Sequence, residues 1–466
     1  MKEIVKRELL DIVGEDRFFD DDLDRFTYSY DGSFLPLVPP HLPEAVVQPR
    51  SAEEVAAVLR VCHAHGVPVV PRGAGSGRTG GSVPVAGGVV LSLQRMNRIL
   101  DLDEGNMMAL VEPGVVTFDF CQAMERKGFF YPPDPASWKF CTLGGNVAEN
   151  AGGARAVKYG VTRDYVMGLQ VVLADGRVIE TGGKAVKNVT GYDLTRLFVG
   201  SEGTLGVITR ILLRLLPLPP AKKTLLLCFG SVDAASTAVV RMIQAGVIPA
   251  AAELMDRVSI DAVARAHPVH VPAGTEAAVL VDIDGEPEVL VPQARRVVAV
   301  AREAGAIEIR EAADDAEADA LWLLRRAMGP AVAAMAPNKI GEDIAVPRTV
   351  VPEMIRRLQD IGRRYGFTIA IFGHAGDGNL HPSILTDLSQ EGNQEKADAA
   401  VAEVFRAALE LGGTLSGEHG IGITKLPFIT DALGEAQVDV LKSIKRALDP
   451  KGILNPGKIF SGGAER

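Results

Sequence analysis

The sequence predicts an α+β protein of two domains, with a C-terminal segment that returns to the first. The chain has 466 residues, 47% of them hydrophobic. That exceeds what one hydrophobic core usually supports and is ample for packed domains rather than disorder. From Ala45 to Gly88 strand, helix, strand and glycine loop succeed one another. After Leu218-Pro219-Pro220 strands alternate with long alanine-rich helices and the glycine loops stop, until one returns at Ser416-Gly-Glu-His-Gly-Ile-Gly422. The expected divisions are residues 1–218, with a core at about 38–217, then 219–415, then 416–466.

Taken in order, residues 1–15 read as a charged amphipathic helix, with no apolar core and small-residue cleavage site of a secretory signal. Ala45-Val-Val-Gln-Pro49 is an apolar, β-branched strand. Ser51 with Glu54 forms a capping box that opens a helix whose apolar face is Val55, Val58, Leu59 and Cys62. Short strands follow at 67–70, 89–93 and 109–111, with a helix near 118–127. Residues 166–173 and 177–181 flank an Asp175-Gly176 turn, a hairpin signal. In the second domain a strand at 224–229 precedes a helix at 233–245 behind Ser231, and a strand at 277–283 precedes a helix at 288–304. A helix at 438–448 and the turn-rich 449–457 close the chain.

Several function classes are excluded. The formal charge is −10 and the pI near 5.4, with no run of lysine and arginine, so a nucleic acid has little to hold. The most apolar stretch, 205–218, is broken by Arg210, Arg214 and Pro217, which removes a membrane span. Cys62, Cys121, Cys141 and Cys228 are scattered without a CxxC pair, which argues against disulfides, structural zinc and an iron–sulfur cluster. The expected location is cytoplasmic, with membrane association only through a partner.

Gly75-Ser-Gly-Arg-Thr-Gly80 matches GxGxxG, and Asp101 follows at about the right distance. The dinucleotide fingerprint requires a helix to open at the loop, and Ser82-Val-Pro-Val-Ala-Gly-Gly88 cannot be one. What remains is a loop whose backbone N–H groups can close on a phosphate without a helix dipole. Alone, it reads first as a surface turn. Two further small-residue segments accompany it: Pro132-Pro-Asp-Pro135 with Thr142-Leu-Gly-Gly-Asn-Val-Ala-Glu-Asn-Ala-Gly-Gly153, and Val199-Gly-Ser-Glu-Gly-Thr-Leu-Gly-Val-Ile208. Three such loops suit a long dinucleotide.

Pro71-Arg-Gly-Ala-Gly-Ser, Gly144-Gly-Asn-Val-Ala-Glu-Asn-Ala-Gly-Gly, Gly200-Ser-Glu-Gly-Thr-Leu-Gly and Asn455-Pro-Gly-Lys458 resemble the FAD-binding signatures of the vanillyl-alcohol-oxidase superfamily, with its PCMH-type FAD domain. The resemblance covers nearly the whole chain. It points to the branch of the flavin-bearing chain of glycolate oxidase, D-lactate dehydrogenase and D-2-hydroxyglutarate dehydrogenase. It implies a two-subdomain FAD-binding domain, an α+β substrate (cap) domain, and a C-terminal segment completing the first. The FAD pyrophosphate is implied at Pro71, Arg72, Gly73, Ala74, Gly75, Ser76 and Gly77. Further FAD contacts are implied at Pro133, Thr142, Gly145, Asn146, Gly152, Gly153, Gly203, Val207 and Asn455. Some relatives attach the flavin through a histidine where this chain has Arg78 and Thr79, so the expectation is non-covalent FAD. Cys141, beside apolar Phe140, reads as an inert buried thiol.

Phe372-Gly-His-Ala-Gly-Asp-Gly-Asn-Leu-His-Pro382 follows an apolar strand at 368–372 and aims two imidazoles from one glycine turn. Ser416-Gly-Glu-His-Gly420 adds a carboxylate and a third imidazole, and two histidines with one carboxylate make an open-sided divalent site. A hydrogen-bonded loop network is the alternative reading. Asp377 and Asn379 lie in the same turn as partners for ligands or substrate, while His41, His63, His65, His267 and His270 read as structural or surface groups. The resemblance implies His374, His381 and Glu418 as ligands of zinc, manganese or iron, and His419 as the catalytic base. Arg325 and Arg326 sit on a helical stretch and Lys339 opens a strand. The resemblance assigns Arg325 and Lys339 to the substrate carboxylate. Arg326, Glu342 and Asp343 read as solvated or structural ion pairs.

The implied reaction is oxidation of a small D-2-hydroxy acid, D-lactate or glycolate, with the two histidine loops converging on the flavin edge. D-2-hydroxyglutarate and D-malate are alternatives within the branch. Electrons are expected to leave to a separate acceptor, an iron–sulfur subunit or an electron-transferring flavoprotein. Two rivals from other classes are a colourless metal-dependent hydrolase and a non-catalytic flavin relay subunit.

Overall fold

The computed structural model describes residues 1–35, 39–268 and 270–460. They form two compact units: Met1–Gly152, Val161–Leu218 and the chain from Glu418 onward make the first, Gly153–Gly160 and Pro219–Gly417 the second. Both mix helices with sheets, the α+β class expected. No helix of the described residues is long and apolar enough to cross a membrane.

The first unit has two main sheets and a two-stranded pair, Phe129–Phe130 with Leu216–Pro217. In one, Phe18–Phe19, Ala45–Val47, Val89–Ser92 and Val69–Arg72 lie in that order, the last three parallel. Helix Ala52–His65 buries Val55, Val58, Leu59 and Cys62, the face its spacing predicts. They pack with Val5, Leu9 and Val13 of the N-terminal helix Glu3–Val13 and with the sheet's Val69, Val89 and Leu91. The capping box is only half made. Ser51 accepts from Glu54 N, but the Glu54 carboxylate turns to Arg50 N and Arg17. The other sheet runs Ile99–Asp103, Met108–Val111, Val207–Arg214, Val166–Val172, Val178–Gly182. Its centre, Val207–Arg214, buries all but Arg210 and Arg214.

The second unit is an antiparallel sheet in the order Ala306–Glu311, Ala221–Phe229, Ala277–Gly285, Ala251–Asp256, Thr368–His374, Asn379–Thr386, Asn338–Gly341. Ile344–Ala345 also pairs with Asn379–Thr386. Because side chains alternate across a strand, Met255, Ala370, Phe372 and Leu385 share one face. That face is covered by Ile260 and Val263 of helix Arg257–Ala266, Leu321 and Leu324 of helix Asp315–Arg326, and Met328 and Val332 of helix Met328–Ala333. Gly153–Gly160, expected within the first domain, clusters here instead. Lys158 and Tyr159 clasp Asp284, and Val157 lies where a Cβ on Gly376 would come within 2.7 Å.

One buried acid in this unit sets a pH dependence. Asp256 caps helix Arg257–Ala266 through Ser259 N and accepts Ile371 N at 3.0 Å. Burial outweighs those bonds and pushes its carboxyl up to about 6. The folded chain thus keeps a proton that the unfolded chain has already lost. The contribution to stability is full below about pH 4 and fades as pH rises through about 6. Asp256→Asn should flatten this decline, by about 3 kcal/mol between pH 4 and 7. Urea midpoints measured across that range check it, and parallel profiles for the two proteins would contradict it.

Candidate functional site

On the covered face of the second unit, register gathers charges far apart in sequence. Glu253 is paired with His374 and Phe372 with His381, so a carboxylate, two imidazoles and a phenyl ring stand side by side. His374 Nδ1 and Glu253 Oε1 are 2.6 Å apart, and the two imidazoles meet edge to face with centroids 5.1 Å apart. Arg325, in the last turn of its helix, places Nε 2.6 Å from Glu253 Oε2. Its guanidinium lies 5.2 Å from the Phe372 ring centroid, and Lys339 Nζ lies 5.9 Å from the same centroid. Burial pushes the Glu253 carboxyl up, but the charges and hydrogen bonds of His374 and Arg325 outweigh it, so the group sits below the usual carboxylate value. The structure therefore brings Arg325, Lys339, His374 and His381 together around Phe372.

The turn carrying the histidines is shaped by backbone. Gly378 has φ +85, and a Cβ there would fall 1.9 Å from Val346 O. Asn379 Nδ2 donates to Asp343 Oδ1 at 2.6 Å and Ile344 O at 2.8 Å, which pins the neighbouring strand. Asp343 is fully buried and also accepts from Ser416 Oγ at 2.7 Å. Its Oδ1 stands 3.8 Å from His381 Nδ1, beyond hydrogen-bond reach. Of the three residues read as ion pairs, Arg326 is a solvated partner of Asp319, whereas Glu342 and Asp343 are buried. Asp343 is thus a structural rather than a solvated group, bonded by the neutral donors Asn379 and Ser416 with the His381 imidazole close by. Gly417 packs so tightly on the Asn379 amide that a Cβ would fall 2.3 Å from it. Glu418 is the next residue, and His374, His381 and Glu418 form a group that could hold a metal ion. The donor set fits one. A carboxylate on Nδ1 of His374 leaves Nε2 as the ligand atom, the usual support for a metal-bound histidine.

In the first unit the predicted loops meet one another. Arg72 ends the strand Val69–Arg72, donates to Tyr30 O at 2.7 Å, and is overlaid by the loop so closely that a Cβ on Gly75, φ +68, would lie 2.1 Å from Nη2. No helix follows the loop, which rules out a Rossmann arrangement here. A Cβ on Gly73 would meet Thr142 Oγ1 at 2.4 Å, and Thr142 caps the short helix holding Gly145 and Asn146. Gly203, φ +68, approaches Pro71. Asn455 Nδ2 donates to Gly81 O at 2.8 Å and Glu202 O at 2.7 Å, tying the loops together. Asn146 is turned to Thr117 Oγ1, Val207 starts the central strand, and Pro133 is buried. Gly152 ends a segment of the first unit and Gly153 begins one of the second. Backbone crowded to the exclusion of side chains fits a pyrophosphate cradle.

The segment after Glu418 is fastened to the same loops. Glu202 accepts Ile421 N at 2.8 Å and Gly422 N at 2.7 Å, and Thr79 Oγ1 donates to His419 O at 3.1 Å. Burial pushes Glu202 up although those N–H groups pull the other way, and burial with repulsion from Glu202 and Asp31 holds Glu149 well above the usual carboxylate value. Lys458, which donates to Val83 O, is lowered by burial to about 8. His419 Nε2 lies 3.9 Å from Glu418 Oε1.

Sequence reasoning missed Glu253, Glu149 and Glu202. Glu253 had one signal, a lone carboxylate inside the apolar Ala250-Ala-Ala-Glu-Leu-Met255. The other two lay inside the motifs but were passed over for their glycines.

Residues 218–459 match the family described as FAD linked oxidases, C-terminal domain, and residues 43–182 match an FAD binding domain. A glycolate oxidase subunit GlcD of Bacillus subtilis (strain 168) is 44% identical over 464 residues, 99% of this chain and 98% of the relative. A D-lactate dehydrogenase of Anaerostipes hadrus is 38% identical over 429 residues, 90% of this chain and 89% of the relative. The solved structure of p-cresol methylhydroxylase with substrate bound aligns with TM-score 0.80 at 19% identity, covering 98% of this chain and 96% of that one, a likeness of fold.

Proposed function

Because the chain belongs to the FAD-linked oxidases and is an FAD-dependent oxidoreductase, we propose that it oxidises a small D-2-hydroxy acid, D-lactate or glycolate, to the 2-oxo acid. FAD is held non-covalently, and a divalent ion, zinc, manganese or iron, is held by His374, His381 and Glu418. The observation that carries this reading is the pairing of two cations with two imidazoles around Phe372. A 2-hydroxy acid presents a carboxylate next to a hydroxyl, and that is the pair of demands these side chains match. Relatives named as a glycolate oxidase chain and as a D-lactate dehydrogenase support the class. Arg325 and Lys339 suit a single carboxylate, which favours these acids over D-malate and D-2-hydroxyglutarate. Cys141 supports the non-covalent cofactor, since its thiol is buried and burial pushes it up, away from reactive thiolate.

A metal held by His374, His381 and Glu418 would supply Lewis acidity toward the hydroxyl, and FAD would supply the hydride acceptor. The chain's own groups do the rest. Arg325 and Lys339 grip the carboxylate and so fix which face of the α-carbon is offered for transfer. His419 takes the hydroxyl proton, from a loop whose backbone is held by Thr79 and Glu202. Electrons then pass to a separate acceptor, an iron–sulfur subunit or an electron-transferring flavoprotein.

Anaerobic mixing of the yellow protein with D-lactate, glycolate, D-malate and D-2-hydroxyglutarate tests the reading. Bleaching of the flavin band is expected with D-lactate or glycolate, with 2-oxo acid formed in proportion. A flavin bleached by none of the four would leave the relay reading standing, and a colourless protein that hydrolyses esters would sink the whole assignment.

A further inference from the structure

We infer that Glu253 is a positioning residue serving two groups at once: one oxygen sets the tautomer of His374, and the other aims the guanidinium of Arg325. The inference deepens the proposed function and rests on its metal and substrate reading. Glu253 is fully buried in the strand Ala251–Asp256, the second from the strand that carries His381. Its two oxygens are divided without overlap, Oε1 to His374 Nδ1 and Oε2 to Arg325 Nε, each at 2.6 Å. Distances this short mark charge-assisted bonds.

The division has chemical consequences on both sides. A carboxylate accepts only, so the proton between it and His374 sits on Nδ1 and the Nε2 lone pair is left for a metal. On the other side, Nε is the guanidinium atom that Glu253 takes. The paired terminal nitrogens, which grip a carboxylate end-on, therefore point away from it. Phe372 underlies both the guanidinium and His381, with its ring centroid 5.2 Å from the Arg325 carbon and 5.9 Å from the His381 ring. A counter-ion that only stabilised the fold would need Arg325 alone. The second oxygen, spent on an imidazole next to another imidazole, is what a positioning role explains.

Glu253→Gln separates these readings because His374 and Arg325 face different oxygens, so the amide keeps an acceptor toward one and turns an NH2 donor toward the other. The experiment uses chelator-stripped enzyme with its flavin retained, titrated with zinc by calorimetry, alongside KM and kcat for D-lactate with a dye acceptor. Glu253→Gln is expected to lose tenfold or more in zinc affinity or in KM. Glu253→Ala, which removes both acceptors, should weaken zinc by about 10–100-fold. Circular dichroism and flavin content check folding, and the near-isosteric Gln variant keeps the test valid if the Ala variant does not fold. Zinc affinity and KM both within twofold of wild type in Glu253→Gln, with only the melting temperature lowered, would overturn the inference and leave a structural ion pair. If wild-type enzyme takes up no zinc, manganese or iron, the metal reading itself fails, a different result from wild-type binding that the variant leaves unchanged.

Discussion

The His419→Ala protein is expected to retain FAD and to be reduced by D-lactate about 10²–10⁴-fold more slowly than wild type, the usual worth of a positioned acid–base group. The main chain of the loop is tied down on both sides of the ring: Ile421 N and Gly422 N on Glu202, His419 O on Thr79, and Ile423 N on Thr79 O at 2.7 Å. Removing the ring should therefore remove proton transfer while the cradle stands. Stopped-flow reduction under anaerobic conditions measures the rate, and the visible spectrum reports the bound flavin. Reduction at the wild-type rate would strike His419 from the mechanism. Loss of flavin would mean that the ring also builds the cradle.

Arg325→Met is expected to have two large effects. It leaves Glu253, fully buried, with His374 as its remaining partner. Breaking one side of a buried charge pair costs about 3–5 kcal/mol, with the lower end expected here because the imidazole stays. It also removes a cation assigned to the substrate, so KM for D-lactate should rise sharply. Arg325→Lys should recover part of the stability but little of the binding, since an ammonium cannot present a planar fork. Arg326→Met is the control: Arg326 is exposed and pairs loosely with Asp319 at 3.5 Å, so stability should stay within about 0.5 kcal/mol. Equal losses at both positions would mean that the helix, not the buried pair, was being disturbed.

Much of the fold and of the site is legible in the amino-acid sequence, wherever local chemistry decides it. Val55, Val58, Leu59 and Cys62 needed only helical spacing, and Asp175-Gly176 needed only its turn preference. The failure of GxGxxG as a Rossmann loop was readable from Pro84, which no helix interior tolerates. Legibility ended where partners are far apart. Glu54 was expected to finish a capping box and instead reaches Arg50 and Arg17. Asp343 read as a solvated or structural ion-pair group, and which of the two it is was settled by burial and by Asn379 and Ser416, distant in sequence. The stretch Gly153–Gly160 sits with the second unit because Asp284 holds it, a contact more than a hundred residues away.

The sequence by itself determined the α+β class, the glycine loops and the family resemblance, and it supplied the histidine, glutamate, arginine and lysine candidates, because each is written in a short local motif. Only tertiary structure decided what stands behind them. Glu253 reaches His374 through strand register, across 121 residues. Glu202 reaches Ile421 and Gly422 across 219 and 220. Long-range hydrogen bonds depend on how strands and loops align once the core has formed, and no periodicity along the chain records that alignment.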